Sequence, residues 1–146
     1  MGKPDYSFES EHSGIIAGVD EAGCGPWAGP VVAGAVVLDI KRIPPGIDDS
    51  KKLPAAKREE LYIALMESAR TGVGIATVAE IDTLNILGAA KLAMTRAVAL
   101  LSPPPDVALI DGNRPPVLAC KVRAIVGGDA LSLSIAAAGI IAKVTR

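Results

Sequence analysis

Acidic residues stand at three places where an apolar run gives way to a loop or a helix. Asp20 and Glu21 follow IIAGV (15–19), Asp111 follows VALI (107–110), and Asp129 follows VRAIV (122–126) by way of two glycines. If these ends share one edge of a sheet, four carboxylates converge, and their mutual repulsion is tolerable only with a hard divalent cation among them. Oxygen-only ligands suit Mg²⁺ or Mn²⁺. No His or Cys is placed for zinc, since the single histidine, His12, sits near the N-terminus. Two such cations about 3.5 to 4 Å apart stabilise both the attacking hydroxide and the leaving oxygen of an in-line displacement, so the expected chemistry is metal-dependent phosphodiester hydrolysis. Each signal also has a plain alternative. An Asp-Glu pair serves as a surface or capping feature, and Asp129, just ahead of a helix, is placed as an N-cap.

The elements that must position these acids follow from periodicity. IIAGV reads as a buried strand, GCGPWAGP (23–30) as a Gly- and Pro-rich loop, and VVAGAVVLD (31–39) as a second, β-branched strand. Pro44, Pro45 and Gly46 break the chain; Asp48, Asp49 and Ser50 then offer cap chemistry ahead of an amphipathic helix that runs to about Arg70, with Pro54 in its first turn. GVGIATVA (72–79) predicts a third strand. Asp82 or Thr83 is expected to cap a longer helix carrying Leu84, Leu87, Met94, Val98 and Leu101 on one face, ended by Ser102 and three prolines. VALI has the shape of a parallel strand buried on both faces, VRAIV is a fifth strand, and LSLSIAAAGIIAKVTR (131–146) is helical. Three strands, helical material, then strand, strand and helix predict an α/β layer, with the first three strands as an antiparallel meander and a parallel partner beside them.

Composition excludes several functions. The 146 residues are 50% apolar with a net charge of -1, which fits one compact domain and rules out a bulk polycation, so nucleic-acid contact would need local Lys or Arg clusters. Tyr6, Phe8, Trp27 and Tyr62 are the only aromatic residues, too few for a ladder of base-stacking platforms. Cys24 and Cys120 match no metal spacing or redox pair and are expected as free thiols. The N-terminus is polar without an apolar signal region, and no apolar run is long enough to span a membrane, which reads as a soluble cytoplasmic protein with no membrane partner.

Five linked blocks, GVDEAGCGPWAGPVVAGAVV, DDSKKL, IDTLNILGAAKLAM, LIDGN and GGDALSLSIAAAGIIAKVTR, resemble in order and spacing the bacterial ribonuclease HII family, the type 2 ribonucleases H. The polar residues 1 to 13 read as a flexible leader; the resemblance covers residues 14 to 146 and implies the ribonuclease-H-like α/β fold, a mixed five-stranded sheet flanked by helices. It implies an endonuclease that cuts the RNA strand of RNA/DNA hybrids, or nicks DNA at a single ribonucleotide, leaving 3'-hydroxyl and 5'-phosphate ends. The family's metal-binding acids fall on Asp20, Glu21, Asp111 and Asp129, with two Mg²⁺ or Mn²⁺ ions implied. Its Gly-Arg-Gly loop falls on Gly23, Cys24 and Gly25, whose backbone is implied to meet the 2'-hydroxyl that separates ribose from deoxyribose. Ser50, Lys51 and Lys52 resemble a segment that contacts backbone phosphates, and Asn85 lies in a segment implied to face nucleic acid. Helix capping and solvated charge are the plain alternatives for these last residues.

The sequence departs from the family pattern at Cys24, where the family has Arg, at Gly127, in place of a usual Lys, and at Gly139, in place of a common Ser. Relatives are expected to continue by about a further quarter of their length past Arg146, with helices and a Tyr at the junction nucleotide, against the usual logic of helix stop signals. The chain therefore reads as a truncated enzyme. A non-catalytic relic that folds and binds metal or hybrid weakly is the alternative, and protein partners are not legible.

Overall fold

The structure, a computed structural model, describes residues 2–23 and 29–146. The first five elements are α1 (Ser7–Ser10), β1 (Ile16–Ala22), β2 (Val31–Val37), α2 (Ala55–Ser68) and β3 (Arg70–Ala76). They are followed by α3 (Val78–Ala99), β4 (Val107–Asp111), β5 (Lys121–Ile125) and α4 (Leu133–Thr145), with 3-10 turns at Ser50–Lys52 and Gly128–Ala130. The strands form one sheet in the order β3-β2-β1-β4-β5. β1, β2 and β3 pair antiparallel, while β4 runs parallel to β1 and β5 parallel to β4. This is the expected mixed sheet.

Strand alternation sorts the sheet into two faces. Ala17, Val19, Ala33 and Ala35 pack with Ala93, Ala97 and Val98 of α3 and with Ile110. The opposite face receives α4, whose Ala137, Ala138 and Ile141 join Val36 and the α2 residues Leu61 and Leu65. Close approach here depends on Gly18, since a Cβ on it would collide with the main chain of Ser134 and Ile135. α4 is apolar almost all round because it is buried, with Ser134 through Ala142 inaccessible.

Three expectations change. β3 begins at Arg70 and α3 begins at Val78, four residues before Asp82. The reason is a capping box: Thr77 Oγ1 accepts from the Glu80 N–H while the Glu80 carboxylate accepts from the Thr77 N–H. The apolar pair at Val78 and Ala79 disguises this start as a continuing strand. α3 is also broken at Asn85, which has φ 63° and ψ 175° and whose Oδ1 accepts from Gly88 N–H at 3.0 Å, so that Asn85 caps the second, longer part of the helix.

The leader, expected to be floppy, docks instead. Asp5 forms a parallel bridge with Ser132, Phe8 packs beside Ile16, Leu109, Ile125 and Ile135, and Arg123 stacks on the Phe8 ring while its guanidinium reaches Glu11 at 2.8 Å. Cys120 is a free, half-buried thiol pushed up in pKa by burial; Cys24 lies outside the described residues.

Candidate metal centre

Register brings the first two acids together. Val19 pairs with Ile110 in the parallel β1–β4 ladder, so Asp20 and Asp111, the next residues on each strand, come level at the same sheet edge. Both project on the α4 side: Asp20 follows the α3-facing Val19, and Asp111 follows the α3-facing Ile110. β5 then delivers the third acid. After Ile125, Gly127 turns the chain at φ 69°, and the 3-10 turn Gly128–Ala130 places Asp129 so that its N–H donates to Asp111 Oδ1 at 3.2 Å. Asp20, Asp111 and Asp129 each present a carboxylate oxygen, and these oxygens all lie within 4.8 Å of one another.

The electrostatics follow from that crowding. Burial, then the negative charges of Asp111 and Glu21, hold the Asp20 carboxyl well above the ordinary carboxylate range; the Glu21 N–H, donating to Asp20 Oδ1 at 2.9 Å, opposes this only in part. Asp111 is raised as well, by burial and by Asp129. α4 presses on the cluster from above. A Cβ at Gly139 would lie 2.7 Å from Asp20 Oδ2 and 3.8 Å from Ser50 Oγ, so the glycine makes room for the carboxylate and Ser50 borders the same space.

Glu21 is placed differently. The two-residue strand period starts its side chain on the face opposite Asp20, and the oxygens that converge within 4.8 Å are those of the three aspartates. Its charge still acts on Asp20. Asp129 is not the N-cap of α4; that role belongs to Ser132, whose Oγ accepts from Ile135 N–H. The Asp129 carboxylate is turned to the cluster and to Lys51.

The basic segment reaches the acids directly. Lys51 Nζ sits 2.7 Å from Asp129 Oδ2 and 3.1 Å from Asp49 Oδ1, and these partners raise the ammonium's pKa. Asp49, buried, also accepts from the Lys51 N–H, and Arg58 of α2 donates to the carbonyls of Ser50 and Leu53, bracing the turn. Asp49 reads in sequence as a cap alone, and Arg58 as a solvated helix residue. The signal available was their spacing, an acid before and a base one helical turn into the following helix. Lys52 and Asn85 are exposed, and the Asn85 side chain accepts from Gly88 N–H. Gly23 adopts φ 101° at the end of β1, beside the Arg146 side chain, whose Nε donates to Pro30 O at 3.3 Å. Cys24 and Gly25 lie outside the described residues.

Carboxylates from two adjacent parallel strands and from the turn after a third, with a lysine-bearing turn beside them, narrow the family, and comparison decides it. The ribonuclease HII family model matches residues 17–146. The chain belongs to the ribonuclease HII family. It is 60% identical over 147 aligned positions to the ribonuclease HII of Parvibaculum lavamentivorans, covering 98% of this chain and 55% of that protein. The chain thus spans about half the length of that curated relative. Its fold is similar to ribonuclease HII of Archaeoglobus fulgidus, solved as a complex with PCNA, at 31% identity and a TM-score of 0.77, covering 90% of this chain and 72% of that one. Ribonuclease H2 from Pyrococcus horikoshii is similar at 32% identity and a TM-score of 0.75, covering 90% and 71%. These ribonuclease H folds match the mixed sheet described above. Among the described residues, no helix is long and apolar enough to cross a membrane.

Proposed function

We propose that this chain acts on RNA/DNA hybrids as an endonuclease, hydrolysing phosphodiesters of the RNA strand and nicking duplex DNA on the 5' side of a single ribonucleotide. The observation that carries this reading is the convergence of Asp20, Asp111 and Asp129 to within 4.8 Å, on a chain of the ribonuclease HII family. The donor set fits a hard divalent cation: the ligand atoms are all carboxylate oxygens within 4.8 Å of one another, and burial together with this crowding of negative charge, which a cation would offset, raises the Asp20 and Asp111 carboxyls. Asp20, Asp111 and Asp129 would hold Mg²⁺ or Mn²⁺, with Glu21 completing the set for two ions. When bound, such ions supply a nucleophilic hydroxide and charge stabilisation at the leaving oxygen.

The chain's own residues then do the following. Asp20 and Asp111, fixed by strand register, hold their carboxylates level at one sheet edge, where the ions would be bound. Lys51 and Lys52 bind backbone phosphates flanking the scissile one, which positions the duplex without reading its sequence. Ser50, bordering the acids, orients the phosphate next to it. The main chain of the segment Gly23, Cys24 and Gly25 recognises the 2'-hydroxyl, a role that does not use the side chain at position 24. Asn85 contributes a nucleic-acid contact from the surface of α3.

The test is a duplex DNA carrying one ribonucleotide, incubated with the chain and Mg²⁺ or Mn²⁺. The expected result is a nick 5' to the ribose with a 3'-hydroxyl product, abolished by Asp20→Asn. A chain that binds Mn²⁺ but leaves both this duplex and a uniform hybrid intact would overturn the catalytic reading.

A further inference from the structure

The docked leader carries a carboxylate that the reaction above does not use. Glu9 is 1% exposed, and its Oε2 accepts from Ser132 Oγ at 2.9 Å and from the Ser134 N–H at 2.8 Å. A buried carboxylate is costly unless donors meet it; here the N-cap hydroxyl and a first-turn N–H of α4 meet Oε2, while the buried Oε1 has no hydrogen-bond partner among the described residues. The positive end of that helix adds to the attraction. The leader's main chain grips the same place: Asp5 N–H donates to Leu131 O at 3.2 Å and Leu133 N–H donates to Asp5 O at 3.0 Å, one on each side of Ser132.

This clamped segment adjoins Asp129. The N–H groups of Leu131 and Ser132 close back on Gly128 O at 3.0 and 2.7 Å, so the turn that contains Asp129 is tied to the residues Glu9 holds. From that turn the Asp129 N–H reaches Asp111 Oδ1, and farther along the same helix Gly139 lies against Asp20. An unbroken run of hydrogen bonds therefore leads from Glu9 through Ser132 and Gly128 to the acidic cluster.

We propose that Glu9 is a positioning residue for the metal centre: by anchoring the start of α4 it sets where Asp129 stands against Asp111, and thereby sets the affinity for divalent cations. The inference rests on the reading of the cluster as a divalent-cation site. A group hydrogen-bonded directly to a metal ligand changes metal affinity by about 10-fold or more when removed; Glu9 acts one step further back, through Ser132 and Gly128, so a smaller change is expected. A purely architectural Glu9 would instead lower the melting temperature and leave the affinity of the folded molecules alone.

The experiment is calorimetric titration of Mn²⁺ into the full chain and its Glu9→Ala, Glu9→Gln and Asp111→Asn variants, at a temperature where circular dichroism shows each to be folded. Glu9→Ala is expected to bind Mn²⁺ several-fold more weakly, short of the roughly 10-fold of a direct ligand partner, and Glu9→Gln, which keeps the shape and an acceptor but not the charge, to fall between it and the unsubstituted chain. If Glu9→Ala does not fold, Glu9→Gln decides. Folded Glu9 variants with unchanged Mn²⁺ affinity, beside an unsubstituted chain that binds and an Asp111→Asn chain that does not, would overturn the inference alone. No Mn²⁺ binding by the unsubstituted chain would overturn the metal reading and this inference together.

Discussion

The ammonium of Lys51 is bound to the carboxylate of Asp129, 2.7 Å from Oδ2, although the two residues are 78 positions apart. The lysine side chain is 70% exposed, so the pair is open to exchange with ions and phosphates. On the proposed reading Lys51 would compete with a cation for Asp129 and, when displaced, would be free to meet a phosphate. Lys51→Met is expected to bind Mn²⁺ several-fold more tightly, with the hybrid KM raised; calorimetry and steady-state kinetics check the two halves. Weaker Mn²⁺ binding would show that the lysine orders the site rather than competing for it.

The raised carboxyls make a prediction about pH. Asp20 and Asp111 keep their protons in the folded chain above the ordinary value of 3.8, while the unfolded chain releases them there. Over that window the folded state binds more protons, so stability without metal falls as pH rises from about 3.8 through the raised folded values. Mn²⁺ binding must expel those protons and so tightens over the same range. Thermal melts in a chelator, compared with melts in Mn²⁺, read both trends. Asp111→Asn keeps an acceptor for the Asp129 N–H and removes a charge; it is expected to melt higher in chelator and to gain nothing from Mn²⁺.

Gly139 sits where helix propensity and the site conflict. An interior Ala is favoured over Gly by about 1 kcal/mol, but its Cβ would stand 2.7 Å from Asp20 Oδ2 and push the carboxylate aside. Gly139→Ala is therefore expected to hold or raise stability in chelator while weakening Mn²⁺ binding. Equal affinity for the two proteins would mean that Asp20 yields without cost.

Asn85 is held at φ 63° and ψ 175°, a region nearly reserved for glycine that costs a side-chain-bearing residue about 1–3 kcal/mol. Asn85→Gly relieves that strain and loses only a few tenths of a kcal/mol in capping, so it should stabilise the chain by about 1 kcal/mol. Asn85→Ala keeps the strain and loses the cap to Gly88, and should destabilise by about 1 kcal/mol. Denaturant titration distinguishes the signs. If Asn85 also touches nucleic acid, both variants raise the hybrid KM regardless of their effect on stability.

The amino-acid sequence by itself determined the strands, their boundaries to within a few residues, and the placement of acids at strand ends. These depend on local period: apolar runs as short as IIAGV and VALI, bounded by charge, fit buried strands, although β1 continues past its first acid to Ala22 and keeps Asp20 buried. Family membership was legible as well, because the motifs are linked in order. Tertiary structure alone decided which acids meet. Asp20 and Asp111 come level through a parallel register set by the crossover between β1 and β4, and Asp129 joins them through a turn tied back to Gly128. Glu21, next to Asp20 in sequence, acts on it through its charge while the three converging oxygens are those of the aspartates. The leader read as loose because its anchors, Ser132, Ser134 and Arg123, lie more than a hundred residues away in sequence, beyond any local pattern. The break in α3 was hidden for a related reason: a cap such as Asn85 to Gly88 competes with continuous helix by a small margin, and packing of the following turns on the sheet tips it.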